Sequence, residues 1–116
     1  MNTIVGTVMI DCNDLDGMVA FWSQLLHLDE KARYPDYVWL DRICEHGPAL
    51  AFQRVPEARQ GKNRIHLDLI DENLEETELR VITLGGAKVA DHSMGDFHWK
   101  VLADPEGNVF CVSEPH

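Results

Sequence analysis

Residues 104–114 read Asp104-Pro105-Glu106-Gly107-Asn108-Val109-Phe110-Cys111-Val112-Ser113-Glu114, a tight-turn signature that runs directly into an alternating strand. Pro105 presets the φ that the second position of a turn needs, and Gly107 admits the positive φ that closes a type I turn with a bulge. The stretch therefore predicts a link between two antiparallel strands. Beyond the turn the pleat is legible: Phe110 and Val112 share one face and read as core, while Val109, Cys111 and Ser113 share the other. A thiol, a hydroxyl and one small aliphatic group suit either the wall of a ligand cavity or a half-wet sheet surface.

The strands upstream of this turn are Ala87 to Ala90 and Phe97 to Ala103. They follow a helix whose N-terminus is marked by Asn73-Leu74-Glu75-Glu76, a capping box with Asn73 as the cap, and whose C-terminus lies near Leu84 before Gly85-Gly86. Asp71, Glu72, Glu75, Glu76 and Glu78 crowd its start, where they complement the helix macrodipole, and they read as solvated surface. Arg64 to Ile70 precedes it as a strand. Residues 56–63 hold almost no apolar side chain and read as a connecting loop.

The first half runs in the same order. Thr3 to Asp11 is a β-branched and apolar run, and Asn13 or Asp14 caps the helix after it. Leu15, Met18, Val19, Trp22, Leu25 and Leu26 then fall on one helical stripe, which must lie on a sheet. Glu30 to Tyr34, Tyr37 to Ile43 and Ala49 to Val55 supply three strands, broken at Pro35-Asp36 and Gly47-Pro48. In the last of them Leu50 and Phe52 point one way, and Ala49, Ala51 and Gln53 the other.

Composition bounds the partners. The 116 residues amount to one ordinary domain, and 45% hydrophobic content suffices for a core. Ten Lys+Arg against 20 Asp+Glu give a formal charge of −10, which disfavours nucleic acid and anionic membrane surfaces and leaves small molecules or proteins. Cys12, Cys44 and Cys111 are odd in number and widely spaced, which argues against a disulfide framework and a structural zinc site and fits a reducing cytoplasm. There is neither a signal-like N-terminal segment nor an apolar run near the ~20 residues of a bilayer span, so the expectation is a soluble, cytoplasmic protein.

The halves superimpose in sequence. Thr7 falls on His66 and Asp14-Leu15-Asp16 on Asn73-Leu74-Glu75 at an offset of 59, and Phe52-Gln53 falls on Phe110-Cys111 at an offset of 58. Each half reads strand, helix, three strands, and neither buries both of its sheet surfaces alone. The expected division is module 1 at about 1–57, a linker at 58–63 and module 2 at about 64–116.

Paired modules of this kind, with Asp14-Leu15-Asp16 and Phe21-Trp22 in the first helix, Arg64-Ile65-His66-Leu67-Asp68-Leu69 in the fifth strand and Asp104-Pro105-Glu106-Gly107-Asn108 before the last, resemble the vicinal oxygen chelate superfamily, in particular its glyoxalase-like small-domain members. The resemblance spans nearly the whole chain. It implies an α+β fold in which two βαβββ modules form an open, U-shaped eight-stranded mixed sheet around a central cleft, commonly in a homodimer. It also implies a cleft that often holds a divalent metal on side chains of the first, fourth, fifth and eighth strands. Those places are here Thr7, Gln53, His66 and Cys111.

His, Gln or Glu usually stand at these places, so the set departs from the pattern. A Thr hydroxyl is a poor ligand and Gln53 offers a neutral carbonyl, which leaves His66 and Cys111 as the strong donors. Catalytic zinc retains three protein ligands, and magnesium or manganese wants carboxylate oxygen. The expectation is therefore no cofactor, with a divalent metal on His66 and Cys111 as the alternative if Asp68 or His98 joins them. Asp68, two residues past His66 on the same strand face, is expected to act at a different depth.

Each residue keeps a plainer alternative. His66 is either a cavity-lining group and general base or a buried histidine satisfied by a backbone or carboxylate partner. Cys111 is a small buried hydrophobe unless a neighbour lowers its pKa. Trp39 and Trp99 line the cavity with Asp68 or belong to the core. His92 and His98 flank the loop Ser93-Met94-Gly95-Asp96 and close the cleft mouth or are simply exposed. The functional expectation is a cleft that binds a small organic metabolite or drug-like compound; the alternative is a lyase, isomerase or dioxygenase that uses a metal or His66 as base.

Overall fold

The computed structural model describes residues 2–115. Local chemistry sets both helices. The Asp14 carboxylate, on extended backbone, accepts the Gly17 N–H at 3.1 Å and opens α1, Leu15–Leu26. A Cβ on residue 17 would collide with that carboxylate, so glycine is what lets the cap close. The helix ends on His27 in the left-handed region at φ 55°. The second helix, α2, Leu74–Thr83, has Asn73 as its cap, accepting the Glu76 N–H at 3.1 Å. The reciprocal half of the expected box is supplied differently: the Asn73 N–H donates to Asp71 Oδ1 at 3.1 Å.

Around the helices run β1 (Thr7–Cys12), β2 (Glu30–Tyr34), β3 (Tyr37–Arg42), β4 (Ala49–Arg54), β5 (Asp68–Ile70), β6 (Ala87–Met94), β7 (Phe97–Ala103) and β8 (Val109–Ser113). The chain divides into two compact units at Ala58–Arg59. The first contains a mixed four-stranded sheet in the order β1-β4-β3-β2, and the second repeats it as β5-β8-β7-β6. In each, the outer strand β1 or β5 runs parallel to its neighbour and the other pairs are antiparallel. Neither sheet closes on itself. The fold is thus α+β, built of two βαβββ modules.

In the first unit the α1 stripe of Leu15, Met18, Val19, Trp22 and Leu25 is buried with Val38, Leu40, Leu50 and Phe52. Phe21, off the expected stripe, is buried as well and meets Trp22 edge to face at 5.2 Å, whereas Leu26 is only half-buried. Each such large side chain contributes roughly 1.5–3 kcal/mol on burial. In the second unit Val81 and Thr77 of α2 are buried with Leu102, Phe110 and Val112. The opposite sheet faces carry Thr7, Trp39 and Gln53 in one unit and Cys111, Ser113 and Trp99 in the other.

The turn at 104–108 forms as its sequence requires. Gly107 stands at φ +85° and donates its N–H to Asp104 O at 2.9 Å, and Ala103 pairs with Val109 across the hairpin. Asp104, 3% exposed, is the hub: its carboxylate accepts the backbone N–H groups of Glu106 and Asn108, each at 3.0 Å, and the Asn108 amide at 2.9 Å.

Three strands differ from expectation. β1 begins at Thr7 rather than Thr3, where pairing with Ala49 of β4 starts. β5 covers Asp68–Ile70 rather than 64–70, because the Asn63 side chain replaces the ladder: it accepts the Val109 N–H at 2.9 Å and donates to Ile65 O at 2.6 Å. β6 runs on to Met94, since Ser93 and Met94 pair with His98 and Phe97 and leave Gly95-Asp96 as the whole loop. No helix among the described residues is long and apolar enough to cross a membrane.

Candidate functional site

In the first unit the open face is an aromatic one. Trp39 stacks on Tyr37 at 5.9 Å and meets Tyr34 edge to face at 6.1 Å. The register explains the grouping: Tyr34 and Tyr37 face each other across the β2–β3 hairpin, and Trp39 lies two residues further along the same pleat. Two polar side chains hold these rings. The Trp39 indole N–H donates to Thr7 Oγ1 at 3.4 Å, and the Gln53 amide donates to the Tyr37 hydroxyl at 3.0 Å. An open groove of about 430 Å³ is lined by Ala32, Tyr34, Trp39, Arg42 and Ala49, among others. Tyr34 remains 56% exposed and Tyr37 37%, so their faces are offered to solvent within this unit.

The second unit repeats the arrangement. Trp99 stacks on His92 at 5.3 Å and lies 5.8 Å from Phe97. Trp39 and Trp99 are sixty residues apart, as are Tyr37 and Phe97, and both pairs sit on the strand after a two-residue loop, Pro35-Asp36 or Gly95-Asp96. The signal was present in the sequence as Tyr34-Pro35-Asp36-Tyr37-Val38-Trp39 against Met94-Gly95-Asp96-Phe97-His98-Trp99; what it required was reading the aromatic tips, rather than the ends of the outer strands, as the repeated feature. Tyr34 and Tyr37, which meet Trp39 on this open face, were not singled out from the sequence. His92 joins the stack, while His98 falls on the alternate pleat of β7, its backbone N–H donating to Glu114 at 3.0 Å.

The other cluster belongs wholly to the second unit. His66 Nδ1 lies 2.8 Å from Asp68 Oδ1, and ligand atoms of His66, Asp68 and Cys111 all lie within 4.8 Å of one another. Asp68 and Cys111 are cross-strand partners in the parallel β5–β8 pair, and the Cys111 N–H donates to Leu67 O at 3.0 Å. The expected difference in depth between His66 and Asp68 does not hold. His66 precedes the strand instead of sharing its pleat, so its ring reaches back to the carboxylate. Burial pushes the Cys111 thiol up from its ordinary pKa, and the Asp68 carboxylate, by charge and by accepting its proton, pushes it further the same way; Lys62 opposes weakly. At neutral pH the thiol is a hydrogen-bond donor, not a nucleophile.

The four places nominated for a metal therefore behave differently. Thr7 and Gln53 supply a hydroxyl and a neutral amide, both engaged with aromatic side chains. His66 and Cys111 are joined by Asp68, which makes three donors of the nitrogen, oxygen and sulfur kinds that zinc-like ions accept.

A family model described as a glyoxalase-like domain matches residues 7–113. Among curated proteins no sequence matches the chain. Among solved structures, a glyoxalase/bleomycin resistance protein/dioxygenase family enzyme from Burkholderia phytofirmans PsJN superimposes with a TM-score of 0.78 at 21% identity, over 94% of this chain and 96% of that one. The fosfomycin resistance protein FosX from Listeria monocytogenes gives 0.80 at 14% identity, over 100% and 96%. Lactoylglutathione lyase from Agrobacterium tumefaciens gives 0.68 at 16% identity, over 98% and 95%. At these identities the likeness is one of fold.

Proposed function

Since the chain belongs to the glyoxalase-like domain family, we propose that it is a small-molecule-binding protein whose ligand, a planar organic metabolite or drug-like compound, lies against the aromatic open face of a module. One observation carries the reading: the Tyr34–Trp39–Tyr37 group, oriented by Thr7 and Gln53, and the His92–Trp99–Phe97 group of the second unit leave rings on the open faces. Offset-stacked and edge-to-face rings gain about 0.5–1.5 kcal/mol beyond the area they bury, so flat unsaturated ligands are favoured over compact aliphatic ones. The groove beside Trp39, at about 430 Å³, has the size of a small-ligand pocket. In this reading binding does not depend on a metal held at all four family places.

The test is a thermal-shift and tryptophan-fluorescence screen of flat heteroaromatic compounds against aliphatic carbonyl compounds. A flat ligand that quenches fluorescence and raises the melting temperature with concentration supports the reading. Trp39→Ala should weaken binding at the first face and Trp99→Ala binding at the second, each at least tenfold. Stabilisation by aliphatic compounds alone, unchanged in both variants, would overturn it.

A second reading is favoured by the His66–Asp68 pair. A carboxylate 2.8 Å from Nδ1 holds the proton on that nitrogen and leaves Nε2 free to accept one, which is the arrangement of a general base. The chain would then be a lyase or isomerase that removes a proton next to a carbonyl. Turnover abolished in both His66→Gln and Asp68→Asn would place this reading first.

Assembly and location belong to the same proposal. The sheets have edge strands, β1 and β2 in one unit and β5 and β6 in the other, and such edges favour pairing of two copies into a homodimer. Light scattering at micromolar concentration should give twice the chain mass of 13.2 kDa. Cys12, Cys44 and Cys111 as thiols rather than disulfides suit the cytoplasm.

A further inference from the structure

The resemblance distributes metal ligands over both modules, but the donors in this chain gather in one. We propose that His66, Asp68 and Cys111 form a binding site for a zinc-like divalent ion contained entirely within the second module, with Asp68, which is not one of the family's four places, as the third ligand and Thr7 and Gln53 contributing none.

Geometry supports this first. A tetrahedral zinc ion with Zn–N and Zn–O near 2.1 Å and Zn–S near 2.3 Å holds its ligand atoms about 3.3–3.7 Å apart. Here the ligand atoms of the three residues lie within 4.8 Å of one another, with His66 Nδ1 and Asp68 Oδ1 at 2.8 Å. Side-chain rotations of about an ångström convert one arrangement to the other. His66 and Asp68 are exposed and Cys111 is half-buried, so the first two are free to make that adjustment and solvent has access.

The framework beneath them is fixed. Asp68 and Cys111 are register partners in the β5–β8 pair, and Asn63 ties the segment before His66 to Val109 at the start of β8. Charge and softness agree with the assignment. Binding would release the Cys111 thiol proton to solvent and leave the imidazole proton on the ring nitrogen that does not ligate; the resulting thiolate and the carboxylate balance a dication, the imidazole adds a neutral donor, and the thiolate selects zinc or cobalt over magnesium or calcium. A fourth, open position would be left to water or to a ligand. In the first unit the Thr7 hydroxyl already accepts the Trp39 indole N–H and the Gln53 amide meets Tyr37, so both serve the aromatic face.

The inference is independent of the aromatic ligand proposed above, and its test needs no substrate. Metal-stripped full-length protein is titrated with Co²⁺ and followed by absorption. The expected result is one equivalent bound with ligand-field bands of tetrahedral intensity and a thiolate-to-cobalt charge-transfer band. Cys111→Ser should remove the charge-transfer band, and Asp68→Asn should weaken Co²⁺ binding at least tenfold. Thr7→Val and Gln53→Leu should stay within twofold of wild type. The wild-type spectrum decides by itself should a variant misfold: weak octahedral bands with no charge-transfer band, or no binding at micromolar Co²⁺, overturn the proposal. So does a loss in Thr7→Val or Gln53→Leu as large as that in Asp68→Asn.

Discussion

His66 Nδ1 and Asp68 Oδ1 lie 2.8 Å apart although the two residues do not share a strand pleat. In the neutral ring the proton is therefore held on Nδ1, the less common tautomer for an unconstrained imidazole. Long-range ¹⁵N–¹H correlation spectra of metal-free protein above pH 8 should show His66 mainly as the Nδ1–H form. In Asp68→Ala the ring should return to a majority of Nε2–H. An unchanged spectrum would mean that the carboxylate does not orient the ring in solution.

The turn before β8 gives a stability prediction. Asp104 is buried and its carboxylate accepts N–H groups of Glu106 and Asn108, so Asp104→Ala leaves those donors without their acceptor and should cost about 2–4 kcal/mol. Gly107→Ala meets a different obstacle, a φ of +85° with the Arg59 guanidinium 3.1 Å from the added Cβ, and should cost about 1–2 kcal/mol. Urea melts of both variants measure this; a loss below half a kcal/mol in Asp104→Ala would show that water replaces the carboxylate.

That turn was legible because its chemistry is local: proline, glycine and a capping carboxylate within five residues dictate the backbone. The α1 stripe and the faces of β4 were legible for a related reason, since the period of the apolar residues is the period of the element. Asp91-His92-Ser93-Met94 was not, because its side chains are polar or exposed and only the pairing partners across β7 make it a strand. The His66–Asp68–Cys111 cluster was half legible. The repeat pointed to His66 and Cys111, with Asp68 or His98 as the candidate third donor; Asp68 meets Cys111 by strand register, and His66 meets both because it lies before β5 rather than on its pleat, which a pleat argument does not contain.

Asp71 predicts a pH dependence. The Asn73 N–H donates to its carboxylate at 3.1 Å and the Thr77 hydroxyl at 2.9 Å, which holds its pKa below the ordinary aspartate value. A lowered folded pKa means stabilisation that is present above the unfolded value, about 3.9, and lost as pH falls through the folded one. Asp71→Asn should thus cost about 1 kcal/mol at pH 7, and the difference from wild type should shrink steadily below about pH 4. Denaturant melts across pH 2–7 check it; a constant difference over that range would assign the loss to the helix cap alone.

Lys100 sits on the helix-facing side of β7 with its side chain only 7% exposed, and three carboxylates surround its ammonium: Asp91 at 2.8 Å, Glu78 at 2.9 Å and Glu75 at 3.1 Å. The Asp91 carboxylate, which accepts a hydrogen bond from the ammonium, and then Glu78 beside it hold the Lys100 pKa above the ordinary lysine range, so its stabilising charge is complete below about 10.4 and is lost only as pH rises through the higher folded value. Lys100→Met removes the nearest cation from Glu78, 18% exposed, whose Oε1 makes no well-directed hydrogen bond even with Lys100 at 2.9 Å, and leaves it Lys88 at 3.8 Å. The expected loss is about 2–3 kcal/mol, less than for a fully enclosed pair because Glu75 and Asp91 keep contact with water. It should be constant between about pH 6 and 9, inside the window where both lysine and carboxylates are charged. Adding Glu78→Leu should recover more than half of it, since the stranded carboxylate rather than the missing ammonium carries most of the cost. A double variant as unstable as the sum of the two single ones would show instead that Lys100 stabilises the β6–β7 hairpin through Asp91, independently of α2.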